Sequence, residues 1–194
     1  AAMPFLENCV KTNPYPELRS RCTIGLAAAN PAQAMTILTG LLVLQTTILS
    51  KFPLLHGTAD LVLLAVLAWA LQKQVKTAWQ WGIIAGLLVG IASAQTFVVS
   101  VALYIGAVGI ALLLRQRVWQ VPSLAMLIAT FAATLFFHGI TIATRRLAGT
   151  TLPLQESLNL VTLPSMLLNL LLAVPVFAVV SDLAKWIYPE QLDG

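Results

Sequence analysis

TAWQWGIIAGLLVGIASAQTFVVSVALYIGAVGIALLL, residues 77–114, runs for 38 residues without a charged side chain. As one helix it would be about 57 Å long, roughly twice the ~30 Å hydrocarbon core of a bilayer. It must fold back on itself. The polar cluster Ser93, Gln95, Thr96 and Ser100 marks the place. The expectation is a tight hairpin of two membrane helices.

The composition of the whole chain points the same way. It is 59% hydrophobic and 9% charged, with a mean hydropathy of +0.88, against about 25% charged residues in a soluble domain. Too few charges remain to coat a water-soluble surface, so the outside must face lipid. The net charge of +4 comes from Lys and Arg scattered between apolar runs, with no basic patch interleaved with aromatics. That footprint belongs to membrane topology and not to nucleic-acid binding.

Outward from the hairpin, further apolar runs bring the count of membrane helices to about six. The first covers 35–49 and ends at Lys51 and Pro53. The second, 61–71, has only 11 apolar residues, about 16 Å of helix. It is either a short span or a segment packed inside the bundle, and the short span is the expectation. A fifth span runs over 122–144, with Pro122 suited to a helix first turn and Arg145 and Arg146 behind it. The sixth covers 158–184 and carries Pro164 and Pro175, both tolerable inside a membrane helix. The expected organisation is a polar, weakly ordered tail over 1–34, a transmembrane domain over 35–188, and a short cytoplasmic tail over 189–194.

The first 34 residues hold prolines, charges of both signs, and no apolar core long enough for a signal peptide. The Ala-Ala-Met opening resembles an expression remnant, and Met35 is a natural alternative start. Cys9 and Cys22 have no histidine nearby to complete a metal site and read as two incidental thiols. Alternate loops place Lys11, Arg19, Arg21, Lys73, Lys76, Arg115, Arg117 and Lys185 on one side, and Lys51, Arg145 and Arg146 on the other. The positive-inside rule then makes both termini cytoplasmic. Trp69, Trp79, Trp81, Trp119 and Trp186 fall at span ends on that same side, as an interfacial belt would.

Several side chains could do more than fill a span. Gly82, Gly86 and Gly90 lie at four-residue spacing along one helical face, where another backbone can approach closely. That backbone is either the next helix of the hairpin or a partner. Asp60 is the most embedded carboxylate; it either caps the second helix or contacts a ligand or partner. Asn169 lies deep in the sixth span, and Asn159 near its start, as interhelical glue or as contacts with another subunit. His138 stands alone, with no metal-pairing residue three or four positions away. There is no P-loop, HExxH, Gly-Xaa-Ser-Xaa-Gly or paired-aspartate motif. The expectation is no enzyme, no metal and no cofactor.

Four stretches taken in order carry a resemblance: Leu44-Gln45-Thr46, Asp60-Leu61-Val62-Leu63-Leu64, Gly82-Ile83-Ile84-Ala85-Gly86-Leu87-Leu88, and Leu163-Pro164-Ser165 followed by Asn169. Over residues 35–188 the chain resembles the bacterial rod shape-determining protein MreD family. The resemblance implies an all-α polytopic fold similar to the S components of energy-coupling vitamin transporters. It also implies a non-enzymatic scaffold of the cell-elongation machinery in the cytoplasmic (inner) membrane, supporting peptidoglycan synthesis and cell shape. Its implied partners are an MreC-type single-span protein and, through it, the shape-determining glycosyltransferase, a class B penicillin-binding transpeptidase and MreB. Gly82, Gly86, Gly90, Asp60, Asn169 and Pro164 are then the candidate packing or partner contacts. The chain departs from the family at Ile91-Ala92-Ser93-Ala94-Gln95, which lacks the acid many members carry there. The alternative function is a vitamin-binding S component, although the first span lacks the Ala-Xaa3-Ala coupling pattern. An ion- or proton-coupled transporter is a third, disfavoured by scarce intramembrane charge.

Overall fold

The charge-free run folds as its length requires. In the computed structural model, which describes residues 2–28, 31–47, 59–75, 77–93, 96–117, 121–147, 149 and 161–187, one helix ends at Ala92 and the next begins at Phe97. Among the described residues the helices are α1 (Ala2–Thr12), α2 (Pro16–Ala28), α3 (Pro31–Thr47), α4 (Leu61–Leu71), α5 (Ala78–Ala92), α6 (Phe97–Arg117), α7 (Pro122–Leu147) and α8 (Leu163–Ile187). No strand occurs among them. Pro16, Pro31 and Pro122 each open a helix, where a missing N–H leaves no intrahelical bond unmade.

Among the described residues three helices are long and apolar enough to cross a membrane: Phe97–Arg117, Pro122–Leu147 and Leu163–Lys185 within α8. The apolar parts of α3, α4 and α5 are shorter. The outer faces are oily throughout. Leu124, Ile128, Phe131 and Leu135 line the outside of α7, and Leu163, Leu167, Leu171 and Val174 the outside of α8. Inward, the same helices turn small residues to their neighbours, such as Ala125, Ala129 and Ala133 on α7. Lipid is as apolar as leucine, so close contact, not water exclusion, holds such helices together.

At the centre lies α4. Every residue from Val62 to Leu71 is buried, and α3, α5, α6, α7 and α8 all pack against it. A helix apolar on all faces belongs in a core. Of the two readings of 61–71, the described residues therefore favour the packed segment over the lipid-facing short span.

Other expectations are corrected. Cys9 of α1 and Cys22 of α2 are joined in a disulfide rather than standing as separate thiols. The sixth helix begins at Leu163, behind a π-turn at 161–162. Pro164 thus sits in its first turn instead of the helix interior; only Pro175 is internal. Asn159 and Trp119 lie outside the described residues, as does the side chain of Trp186.

Candidate functional site

Because α4 begins inside the bundle, its first amides cannot turn to water, and a buried unpaired amide is costly. Asp60 meets this need locally: its Oδ1 accepts from the Leu63 N–H at 2.9 Å, capping the helix. Near the end of α3, the Gln45 Oε1 accepts from the Val62 N–H at 3.2 Å. The N–H of Asp60 donates to the Asn169 Oδ1 of α8 at 2.9 Å. Asn169 Nδ2 in turn donates to the Thr134 Oγ1 of α7 at 3.2 Å. From α6 the Tyr104 hydroxyl donates to the carboxylate at 3.4 Å from each oxygen. Phe137 packs edge-on against that tyrosine ring, centroids 5.2 Å apart.

One polar node therefore ties α3, α4, α6, α7 and α8 together. Tyr104, Thr134 and Asn169 are sealed from solvent. The donors and acceptors of the node are taken up largely by one another, the arrangement of a clamp. His138 lies one turn beyond Thr134 on α7 and is half-buried. Among the described residues no three His, Cys, Asp or Glu side chains converge as metal ligands would.

The three-glycine face of α5 meets α6. A Cβ at Gly82 would stand 2.7 Å from the Val108 Cγ2, one at Gly86 2.7 Å from the Val101 Cα, and one at Gly90 3.1 Å from the Phe97 ring. The backbone that approaches this face is the second arm of the hairpin, leaving no room there for a partner helix. Gly40 of α3 is different. It is exposed, with no heavy atom within 4 Å of the position a Cβ would take.

At the opposite end of α4 its last carbonyls need donors. Gln72 donates to the Ala68 and Trp69 carbonyls, and Arg115, near the end of α6, reaches through Nη1 the Ala70 O of α4 at 3.2 Å and, in the turn beyond it, the Gln72 O at 2.9 Å and the Val75 O at 3.0 Å. Trp69 and Trp81 are buried here with ring centroids 4.9 Å apart. These two belong to the core and not to an interfacial belt, a correction that follows from burial; Trp79 alone of the described indole rings is exposed.

Asp60 and Asn169 come together as a pair that their separation of 109 residues gives no hint of. Tyr104, Thr134 and the capping role of Arg115 were not singled out from the sequence. A signal existed for Tyr104, the lone tyrosine in an uncharged stretch of 38 residues. Neither family models, nor curated proteins, nor solved structures match this chain.

Proposed function

We propose that this chain is a non-enzymatic scaffold of the bacterial cytoplasmic membrane, a multi-pass helical bundle that docks partner helices for the cell-elongation machinery. One observation carries the reading. Gln45, Asp60 and Asn169, residues of three of the four stretches behind the resemblance to the MreD family, converge on the start of α4. Residues so far apart meeting at one clamp support a shared bundle whose polar groups hold helices together.

The remaining stretch, the glycine face, is spent on the hairpin, so partner docking falls to another surface. The α3 face around Gly40 fits best. A residue without a side chain on an outward helix face permits close approach of another helix, here a single-span protein of the MreC type. The charge count orients the ends of α4, α6 and α8 toward the cytoplasm.

Affinity purification of the full chain from rod-shaped bacterial membranes in mild detergent, read by mass spectrometry, tests the reading. An MreC-type single-span protein should co-purify with the wild type and fall away with Gly40→Leu. A stoichiometric bound vitamin in place of that protein would overturn the scaffold in favour of the S-component alternative.

A further inference from the structure

The disulfide between Cys9 of α1 and Cys22 of α2 closes the hairpin that these helices form. α1 packs on α2, and α2 in turn packs on α3 and α8, so the bond fastens α1 to the bundle. Its two sulfurs stand in different surroundings. Cys22 is only 1% exposed. Cys9 is half-buried, on a helix whose Glu7, Asn8, Lys11 and Thr12 are all exposed.

The turn after α1 sets a donor beside the Cys9 sulfur. Asn13 is held there by its oxygens: Oδ1 accepts from the Tyr15 N–H at 3.1 Å, and the main-chain carbonyl accepts from the Arg19 Nη2 at 3.2 Å. An amide whose oxygen is engaged presents its NH₂ elsewhere, and the Asn13 Nδ2 lies 3.9 Å from the Cys9 Sγ.

Thiol–disulfide exchange depends on which sulfur is reached and on which thiolate leaves. Here the two factors disagree. Leaving-group stability favours attack on Cys22, because a departing Cys9 thiolate would meet the Asn13 amide. A Cys22 thiolate would instead form in a sealed site that disfavours its charge. Access favours attack on Cys9. The incoming thiolate approaches along the S–S axis from the far side of the sulfur it attacks, and Cys22 is covered by packed protein. A poor leaving group slows the step by degrees, whereas a covered sulfur admits no attacker while the fold is intact. Access decides.

We propose that Cys9 is a thiol-exchange site, the sulfur at which an incoming thiolate opens this bond. The new bond joins the reagent's sulfur to the Cys9 Sγ, and the Cys9–Cys22 bond breaks. Its electron pair leaves on the Cys22 Sγ, which takes a proton from water. The products are a mixed disulfide at Cys9 and a free thiol at Cys22. Nothing in this step depends on the scaffold role or on the membrane face that the hairpin occupies.

The test is a short pulse of glutathione on the full, oxidised chain in mild detergent, ended by excess N-ethylmaleimide and read by peptide mass mapping. Glutathione should lie on Cys9 and maleimide on Cys22, in about tenfold or greater excess over the reverse pattern. In the same chain unfolded in hot dodecyl sulfate both sulfurs are open, and the two patterns should appear roughly equally. Adducts on Cys22, or an even split, in the folded chain would overturn the site. So would a folded chain that takes no adduct where the unfolded one does, since Cys9 would then be closed as well. The same preference in the unfolded chain would trace it to local sequence instead of burial and overturn the reasoning. A purified chain carrying two free thiols would have no bond to open and would end the proposal.

Discussion

Replacing Gly86 with alanine probes the closest helix contact in the hairpin. The added Cβ would stand 2.7 Å from the Val101 Cα and 3.2 Å from both the Ser100 O and the Val101 N. Ordinary carbon–carbon contact begins near ~3.5 Å, so α5 and α6 must separate locally by roughly 0.8 Å. All three obstructing atoms are backbone, and no rotamer change relieves them. Separation would also loosen the neighbouring contacts at Gly82 and Gly90. Overpacking of this kind costs about 1–3 kcal/mol, set against a helix-propensity gain of up to about 1 kcal/mol for Gly→Ala. The expected net loss is about 1–2 kcal/mol. Gly40→Ala, in open space, should be neutral or stabilising by up to about 1 kcal/mol. Reversible unfolding of each variant in mixed detergent–dodecyl sulfate micelles, followed by tryptophan fluorescence, measures both. If Gly86→Ala is as stable as Gly40→Ala, the reasoning from the α5–α6 contact is refuted.

Asp60→Ala should cost about 2–3 kcal/mol in the same assay, because it removes the cap and leaves the Tyr104 hydroxyl unpaired. Asp60→Asn should stay within about 0.5 kcal/mol, since asparagine caps equally well; equal damage from both would show that the node needs the carboxylate itself. Arg115→Ala should strip the Ala70, Gln72 and Val75 carbonyls of their shared donor, costing about 2 kcal/mol, and speed hydrogen exchange across 72–77; unchanged exchange would mean that water replaces the arginine. The Cys9–Cys22 bond joins helices that enter on the side the charge count calls cytoplasmic, yet disulfides persist in oxidising compartments. Trapping free thiols with a maleimide polymer in growing cells decides between the two: an oxidised pair, as the structure joins them, reverses the proposed orientation, and a reduced pair keeps it.

What the sequence made legible was set by polar residues interrupting apolar runs. The 38-residue charge-free stretch demanded a turn, and the helices break between Ala92 and Phe97. Asp60 announced a cap, and it caps α4. The readings that failed concern which way an apolar surface faces. Trp69 and Trp81 have the placement of belt residues but are covered by one another and the core. Pro164 moved to a first turn because the start of α8 had no charge or glycine to mark it.

The short helix shows the physical reason. In a soluble protein the buried face is the apolar one, so periodicity separates inside from outside. Within a bilayer both lipid and core accept leucine, and 61–71, apolar at every position, presents no stripe to read. Direction then comes only from the groups that lipid cannot satisfy. An aspartate cap and an opposing arginine can both be seen in the sequence at the two ends of the problem, Asp60 before Leu61 and Arg115 after a long apolar run. What cannot be seen is that the arginine caps a helix other than its own. That assignment follows from length: α4 is about 16 Å of helix surrounded by longer ones, so both its ends fall short of the surface. Gln72 meets the Ala68 and Trp69 carbonyls from within the turn, while the Ala70 carbonyl takes its donor from a neighbour that reaches the boundary, Arg115 near the end of α6.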